Sequence, residues 1–222
     1  MPLQTAVVIG ATGLTGGLVV QELLNDPAFG QVLVLVRGGF ALVHPKLTVK
    51  TVDFTNMDDF KNKLGQGSVI FSCIGTTQKK VNGDTAAYRK IDYDIPVNAA
   101  VFGHQLGFNT FVLVSAVGAN PQSTNFYLRL KGEVDEAVSS AGMASINIFR
   151  PSLLLGSRKE FRLGENIMKP IAKGLSFFLG GGLAKYKAVE AGDVARAMVA
   201  AARQALPGNH VYEYEGIIGL IR

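Results

Sequence analysis

The stretch Ala6-Val7-Val8-Ile9-Gly10-Ala11-Thr12-Gly13-Leu14-Thr15-Gly16 decides the fold. Four apolar residues read as a strand buried on both faces, and they run directly into three glycines spaced three residues apart. Gly10 permits the tight turn off the strand, Gly13 lets the backbone approach a pyrophosphate, and Gly16 lets the next helix pack closely on the strand. That helix, opening at Leu14, directs unpaired N–H groups and a partial positive charge at the anion. A strand-to-helix turn without a ligand can use the same glycines, so the reading rests on what surrounds them.

Further along the chain, apolar β-branched runs alternate with helical patterns, the signature of βαβ units. Strands are predicted at Thr5 to Ile9, Gln31 to Val36, Leu47 to Val52, Ser68 to Cys73, Thr110 to Val114 and Ser145 to Phe149. Helices are predicted at Leu14 to Asn25, Met57 to Leu64, Asp84 to Gly103, Asn125 to Ala141 and Ala191 to Ala205. In the fourth helix Phe126, Leu130, Val134, Ala137, Val138 and Ala141 share one stripe, as burial against a sheet requires. The expected fold is α/β: a Rossmann-type doubly wound parallel sheet with a small irregular C-terminal substrate-facing region. The 222 residues suit one NAD(P)-binding domain, and the glycine-rich, basic stretch 152–190 is expected to form a substrate lid within it.

Charge and composition narrow the function classes. The formal net charge is +5, and seven basic residues against two acids between Arg158 and Lys187 account for all of it. That stretch reads either as a solvated loop or as a face for an anionic ligand. It carries no recognisable nucleic-acid-binding module, so no nucleic-acid partner is expected. The apolar run Leu175 to Leu183 is about half the length that spans a bilayer, so no membrane partner is expected either. Phe177 and Phe178 are expected to wall the substrate site. The lone Cys73 excludes an internal disulfide framework, and the three scattered histidines have no metal-ligand spacing, so no metal is expected. Cys73 itself reads as a buried small residue, not a nucleophile. No secretory signal pattern precedes the first strand, and the expected location is cytoplasmic. No Gly-x-Ser-x-Gly elbow supports a hydrolase.

Two positions at strand ends speak to the cofactor. An NAD site would carry an acid at the end of the second strand to accept from the ribose 2′-hydroxyl. Here Arg37 follows Val36, and a guanidinium pairs a 2′-phosphate instead, which points to NADP over NAD. Gly38 and Gly39 leave room for that phosphate. Asp53, closing the third strand before Phe54, can accept from the adenine amino group or simply hold a turn. Chemistry points to a third place: Ser115 ends the fifth strand, and Tyr127 and Lys131 lie four residues apart on one helix face, expected at the rim of the sheet. An adjacent ammonium favours phenolate, as a general acid/base near neutral pH requires, and Ser115 can orient the substrate oxygen.

With the glycine loop, Asp53-Phe54, Ser115 and Tyr127-x-x-x-Lys131 in this order, the chain resembles the short-chain dehydrogenase/reductase superfamily, in its extended or atypical branch, over nearly its whole length. Ser115-Ala-Val-Gly-Ala-Asn120, Asn125-Phe-Tyr-Leu-Arg-Leu-Lys-Gly-Glu133 and Phe149-Arg-Pro-Ser-Leu153 are similar to the Tat-interactive-protein oxidoreductases and their bacterial relatives. The resemblance implies a catalytic set of Ser115, Tyr127 and Lys131, with Lys131 also binding the nicotinamide ribose. It implies cofactor contacts from Gly10, Thr12, Gly13, Leu14, Thr15 and Gly16, from Arg37, Asp53 and Phe54, from Cys73, Ile74 and Gly75 beside the adenine ribose, and from Pro151 and Ser152 beside the nicotinamide.

Two departures qualify it. Where many members carry an asparagine that helps a proton relay, this chain has Ile91-Asp92-Tyr93, and the region after Pro151 is shorter than the substrate domain of sugar-nucleotide epimerases. The expected activity is hydride transfer between NADP(H) and a small carbonyl or alcohol, by a monomer or homodimer. A dinucleotide-binding regulator or scaffold is the alternative.

Overall fold

The computed structural model describes residues 3–156 and 181–222. In chain order these form β1 (Gln4–Ile9), α1 (Leu14–Asn25), β2 (Phe29–Val36), β3 (Leu47–Thr51), α2 (Met57–Leu64), β4 (Val69–Ser72), α3 (Thr85–Arg89), α4 (Ile95–Gln105), β5 (Thr110–Val114), α5 (Phe126–Ser139), β6 (Ser145–Phe149), β7 (Leu154–Leu155), β8 (Val189–Glu190), α6 (Ala191–Gln204), β9 (Gly208–Tyr212) and α7 (Tyr214–Gly219). Seven strands make one parallel sheet in the order β3-β2-β1-β4-β5-β6-β9, and β7 pairs with β8 separately.

Strand side chains alternate between two cores, which is why the runs are apolar at nearly every position. Ala6, Val8, Val34, Phe71 and Val112 pack toward α1 and α6. Val7, Ile9, Leu35, Ile70 and Leu113 pack toward α2, α4 and α5. The sheet is therefore doubly wound, and the direction of winding reverses between β1 and β4. That reversal opens a crevice at the carboxyl ends of these two strands, the place where such sheets bind ligands.

Besides the two-residue strands β7 and β8, which the sequence did not announce, three elements differ from the sequence reading. Strand β9 lies at the sheet edge with much of its surface exposed, and Gly208-Asn209-His210 carries no apolar alternation to announce it. Helix α7 is only six residues long, too short to show a period. The single helix expected from Asp84 to Gly103 is α3 and α4 joined by a π-helical turn at Lys90–Asp94. Most of the expected lid, including Arg158 to Lys173, Phe177 and Phe178, lies outside the described residues.

Candidate active site

Because the sheet is parallel, every strand delivers its following residue to the same edge. Gly10, Arg37, Asp53, Cys73, Ser115 and Pro151 all stand on that edge, immediately after or within two residues of the ends of β1, β2, β3, β4, β5 and β6. All the strand-end residues singled out in the sequence are thus brought together along one line.

The centre of that line is built for a group that needs bare backbone. Gly10 has φ +87°, and a Cβ there would meet the Cys73 carbonyl oxygen at 2.6 Å. A Cβ on Gly16 would meet the Gly10 carbonyl oxygen at 2.3 Å, so α1 sits directly on the turn. Gly13 begins α1 with no side-chain cap, and the first turn contains no acid. A helix N-terminus left uncapped in this way suits an anion. Thr12 is exposed on the loop, Leu14 is half-buried and Thr15 is buried at the helix start. These observations fit a dinucleotide pyrophosphate.

Arg37 is exposed beyond β2, makes no ion pair among the described residues, and is followed by Gly38 and Gly39, where an added Cβ would find nothing within 4 Å. Asp53 holds a turn: its Oδ1 accepts from the Thr55 N–H at 2.9 Å and the Thr55 hydroxyl at 2.6 Å. The Thr55 hydroxyl and N–H bonds keep its carboxyl below the usual range. Its other oxygen has no part in these two bonds. Phe54 is buried edge-on against Phe60, 4.8 Å between ring centroids. Burial pushes the Cys73 thiol up to about 12, which suits a packed residue and not a nucleophile. Ile74 and Gly75 continue from it, half-buried, along the crevice. Pro151 accepts from the Val117 N–H at 3.0 Å, and the Ser152 hydroxyl donates to the Lys187 carbonyl, tying the end of β6 to the approach to β8.

The tyrosine and lysine sit on α5, whose start is fixed by the Asn125 side chain accepting from the Leu128 N–H at 3.1 Å. Tyr127 is half-buried in the first turn. Lys131 is not at the rim as expected but enclosed, with 5% of its surface exposed. The reason is Asp92, 1% exposed, whose Oδ2 lies 3.1 Å from the Lys131 Nζ. The second carboxylate oxygen of Asp92 accepts from the Thr76 N–H at 2.7 Å, on the loop that continues from Gly75. Burial acts most strongly against the Lys131 charge, but Asp92, with Tyr127 and Asp135 adding to it, outweighs this and holds the ammonium above the ordinary lysine range. Asp92 reaches this place because the π-helical turn carries it inward, and π turns of this kind recur at functional sites.

One turn further along α5, Asp135 is 3% exposed and accepts from the Arg150 Nε at 2.9 Å. Ser115 faces this pair. Its Oγ is enclosed beside the Asp135 carboxylate, close enough to lower that group's proton affinity but without a well-formed hydrogen bond. Engaging a substrate oxygen would require the Ser115 side chain to turn about χ1. Burial nevertheless dominates at Asp135 and raises its proton affinity above the ordinary value. The sequence reading missed Asp135 and Arg150, although Asp135 follows Lys131 by four residues and so shares its helix face.

Fold and site together define a dinucleotide-binding protein with an oxidoreductase-like architecture. The NAD(P)H-binding family model matches residues 10–205, and the chain belongs to that family. It is 32% identical over 213 residues to the mitochondrial protein fmp52 of Aspergillus fumigatus, covering 93% of this chain and 90% of that one. It is 30% identical over 168 residues to the protein HTATIP2 of Rattus norvegicus, covering 74% of this chain and 69% of that one. The fold is similar to that of the Bordetella bronchiseptica enzyme WbmH in complex with NAD+, at TM-score 0.70 and 16% identity, covering 96% of this chain and 76% of that one. The resemblance to short-chain dehydrogenase/reductases therefore holds. The expected cytoplasmic location does not: this Fmp52 relative and others from fungi are named mitochondrial. The absence of a secretory pattern could not discriminate between those two compartments.

Proposed function

We propose that this protein is a mitochondrial NADP(H)-dependent oxidoreductase acting on a small carbonyl or alcohol, with Tyr127 as the general acid/base. The observation that carries the reading is the pair Tyr127 and Lys131 on α5, with Lys131 held by Asp92 at 3.1 Å beside the loop that borders the dinucleotide crevice. The loop Gly10 to Gly16 would hold the pyrophosphate, Arg37 the 2′-phosphate, and Lys131 the nicotinamide ribose. The bound cofactor supplies hydride transfer to or from the substrate carbon.

The chain's own part is proton management. In the reducing direction Tyr127 gives its phenolic proton to the substrate oxygen, and in the oxidising direction it takes that proton back. The Lys131 ammonium steadies the phenolate between these events. Ser115 steadies the substrate oxygen once it has turned from Asp135.

A turnover screen of aldehydes, ketones and quinones, followed by NADPH absorbance, tests the reading. The enclosed Ser115 hydroxyl favours the second reading, a dinucleotide-binding regulator. Tight NADPH binding with no turnover of any tested class would establish that one in place of the enzyme.

A further inference from the structure

The loop that leaves β4 along the dinucleotide crevice is fixed at two points. Its first peptide lies against the glycine turn, since a Cβ on Gly10 would meet the Cys73 carbonyl oxygen at 2.6 Å and the Ile74 nitrogen at 2.9 Å. Further on, both main-chain polar groups of Thr76 are taken by buried side chains. Its N–H donates to Asp92 at 2.7 Å, and its carbonyl accepts from the Tyr88 hydroxyl at 3.1 Å. Only Ile74 and Gly75 lie between the two fixed points. We infer that Tyr88 is a positioning residue for the dinucleotide: its hydroxyl holds Ile74, Gly75 and Thr76 in the shape that receives the adenosine half of the cofactor. This deepens the reading of the crevice as a dinucleotide site and does not depend on Tyr127 or on turnover.

Packing alone does not call for a tyrosine here. Tyr88 is 3% exposed, and its ring meets the Phe126 ring edge-on, with 5.6 Å between centroids. A phenylalanine would keep that contact. What tyrosine adds is a hydroxyl, and a buried hydroxyl is tolerated only where it finds a partner. The partner is the main chain of a segment, Cys73 to Thr77, that has no helix or strand to hold its shape. Gly75 has the broadest backbone freedom of any residue type, so a tether just beyond it narrows the shapes open to the whole segment. A segment shaped before the ligand arrives does not charge its ordering cost to binding.

The tether has a rigid base. Phe126 opens α5, and the Asp84 side chain caps α3 by accepting from the Ala86 and Ala87 N–H groups at 2.8 and 3.0 Å. Tyr88 is thus held from both sides while its hydroxyl reaches the loop. The Tyr88–Thr76 bond is neutral, and Tyr88→Phe removes no charge. The Asp92–Lys131 pair and its bond to the Thr76 N–H stay in place, so the loop loses one of its two ties and not both.

Calorimetry on the full-length protein compares the parent with Tyr88→Phe, using NADPH and adenosine 2′,5′-bisphosphate, the half that the loop would touch. Both Kd values are expected to rise by the same factor, about threefold to tenfold, the range that one neutral hydrogen bond can supply. Hydrogen exchange at the Thr76 N–H, followed by NMR, is expected to quicken in the unliganded variant and to return to the parental rate once NADPH saturates it. A tyrosine with only a structural role would lower Tm and leave both affinities, measured well below it, where they were. That result overturns the inference, as does an unchanged exchange rate in the unliganded variant. A loss seen with NADPH and not with the bisphosphate also overturns it, because the effect would then lie on the nicotinamide half. A parent that binds neither ligand overturns the inference together with the dinucleotide reading, whereas a parent and a variant that bind both equally well overturn the inference alone.

Discussion

The carbonyl oxygen of Cys73 lies 2.6 Å from where a Cβ on Gly10 would stand, so the ends of β1 and β4 touch backbone to backbone at the crevice. Neither side of that contact can yield as a flexible side chain would. Gly10→Ala is expected to cost about 3 kcal/mol, from overpacking together with the positive φ, and to lower Tm by roughly 6–12 °C in a chain of this size. Gly38→Ala, with nothing within 4 Å, should leave Tm unchanged. Thermal unfolding of the two variants side by side checks the contrast, and similar losses in both would refute it.

Tyr127→Phe keeps the ring and removes only the hydroxyl that carries the exchangeable proton. Turnover of any accepted substrate should fall by about a hundredfold or more, while dinucleotide affinity stays within a few-fold. Steady-state kinetics and calorimetric titration separate the two effects. Turnover equal to that of the parent protein would rule out the proton-transfer role.

Arg37 is exposed, and an added Cβ at Gly38 or Gly39 beside it would find nothing within 4 Å among the described residues. A charge-assisted bond to phosphate contributes about 1.5–3 kcal/mol, so NADPH should bind at least about tenfold more tightly than NADH. Arg37→Ala should remove most of that preference and leave NADH binding nearly as before. Calorimetry with both dinucleotides decides it, since equal affinities in the parent would show that the arginine does not read the phosphate.

Asp135 gives a pH signature in stability. Burial raises its proton affinity in the folded chain above the unfolded value of 3.8. The native state therefore holds this proton more tightly than the unfolded one. Its contribution is fully present below pH 3.8 and is lost as pH rises through the higher folded value. Asp135→Asn should thus gain stability relative to the parent as pH climbs just above 3.8, then level off. Arg150→Met, which removes the opposing charge, should extend the parent's decline to higher pH. Denaturant midpoints across acidic to neutral pH provide the measurement, and a constant difference between parent and Asp135→Asn throughout would exclude the effect.

The parts of this protein that were legible in its sequence are those in which one residue's chemistry suffices. Gly10 and Gly16 are required by backbone proximity, and β1, β2, β4, β5 and β6 by apolar runs that admit no other layer. The edge strand β9 was not legible, because Gly208-Asn209-His210 contributes backbone pairing to Ser145-Ile146-Asn147 and little side-chain burial. The setting of Lys131 was not legible either. Its place on α5 suggested a rim position, and only the inward turn of Asp92, thirty-nine residues earlier and on another helix, makes enclosure of an ammonium tolerable. The Asp135–Arg150 pair was hidden for the same reason: each partner is unremarkable until β6 and α5 are laid side by side.

The π-helical turn at Lys90–Asp94 has a bearing on how this chain can change over generations. Such a turn holds one residue more than the α-helical path it replaces. Losing any residue between positions 90 and 94 would let the segment relax to an ordinary helix, rotating everything before the gap by about 100° relative to everything after it. Tyr88, with its hydroxyl on the Thr76 carbonyl, and Ile95, packed in the core, could not both keep their places. Point substitutions in this stretch other than at Asp92 leave the length of the turn intact, whereas a single-codon deletion breaks the alignment of two helices and a loop at once. Lineages that keep Asp92 facing Lys131 are accordingly bound to preserve the spacing of this segment even where they vary its residues.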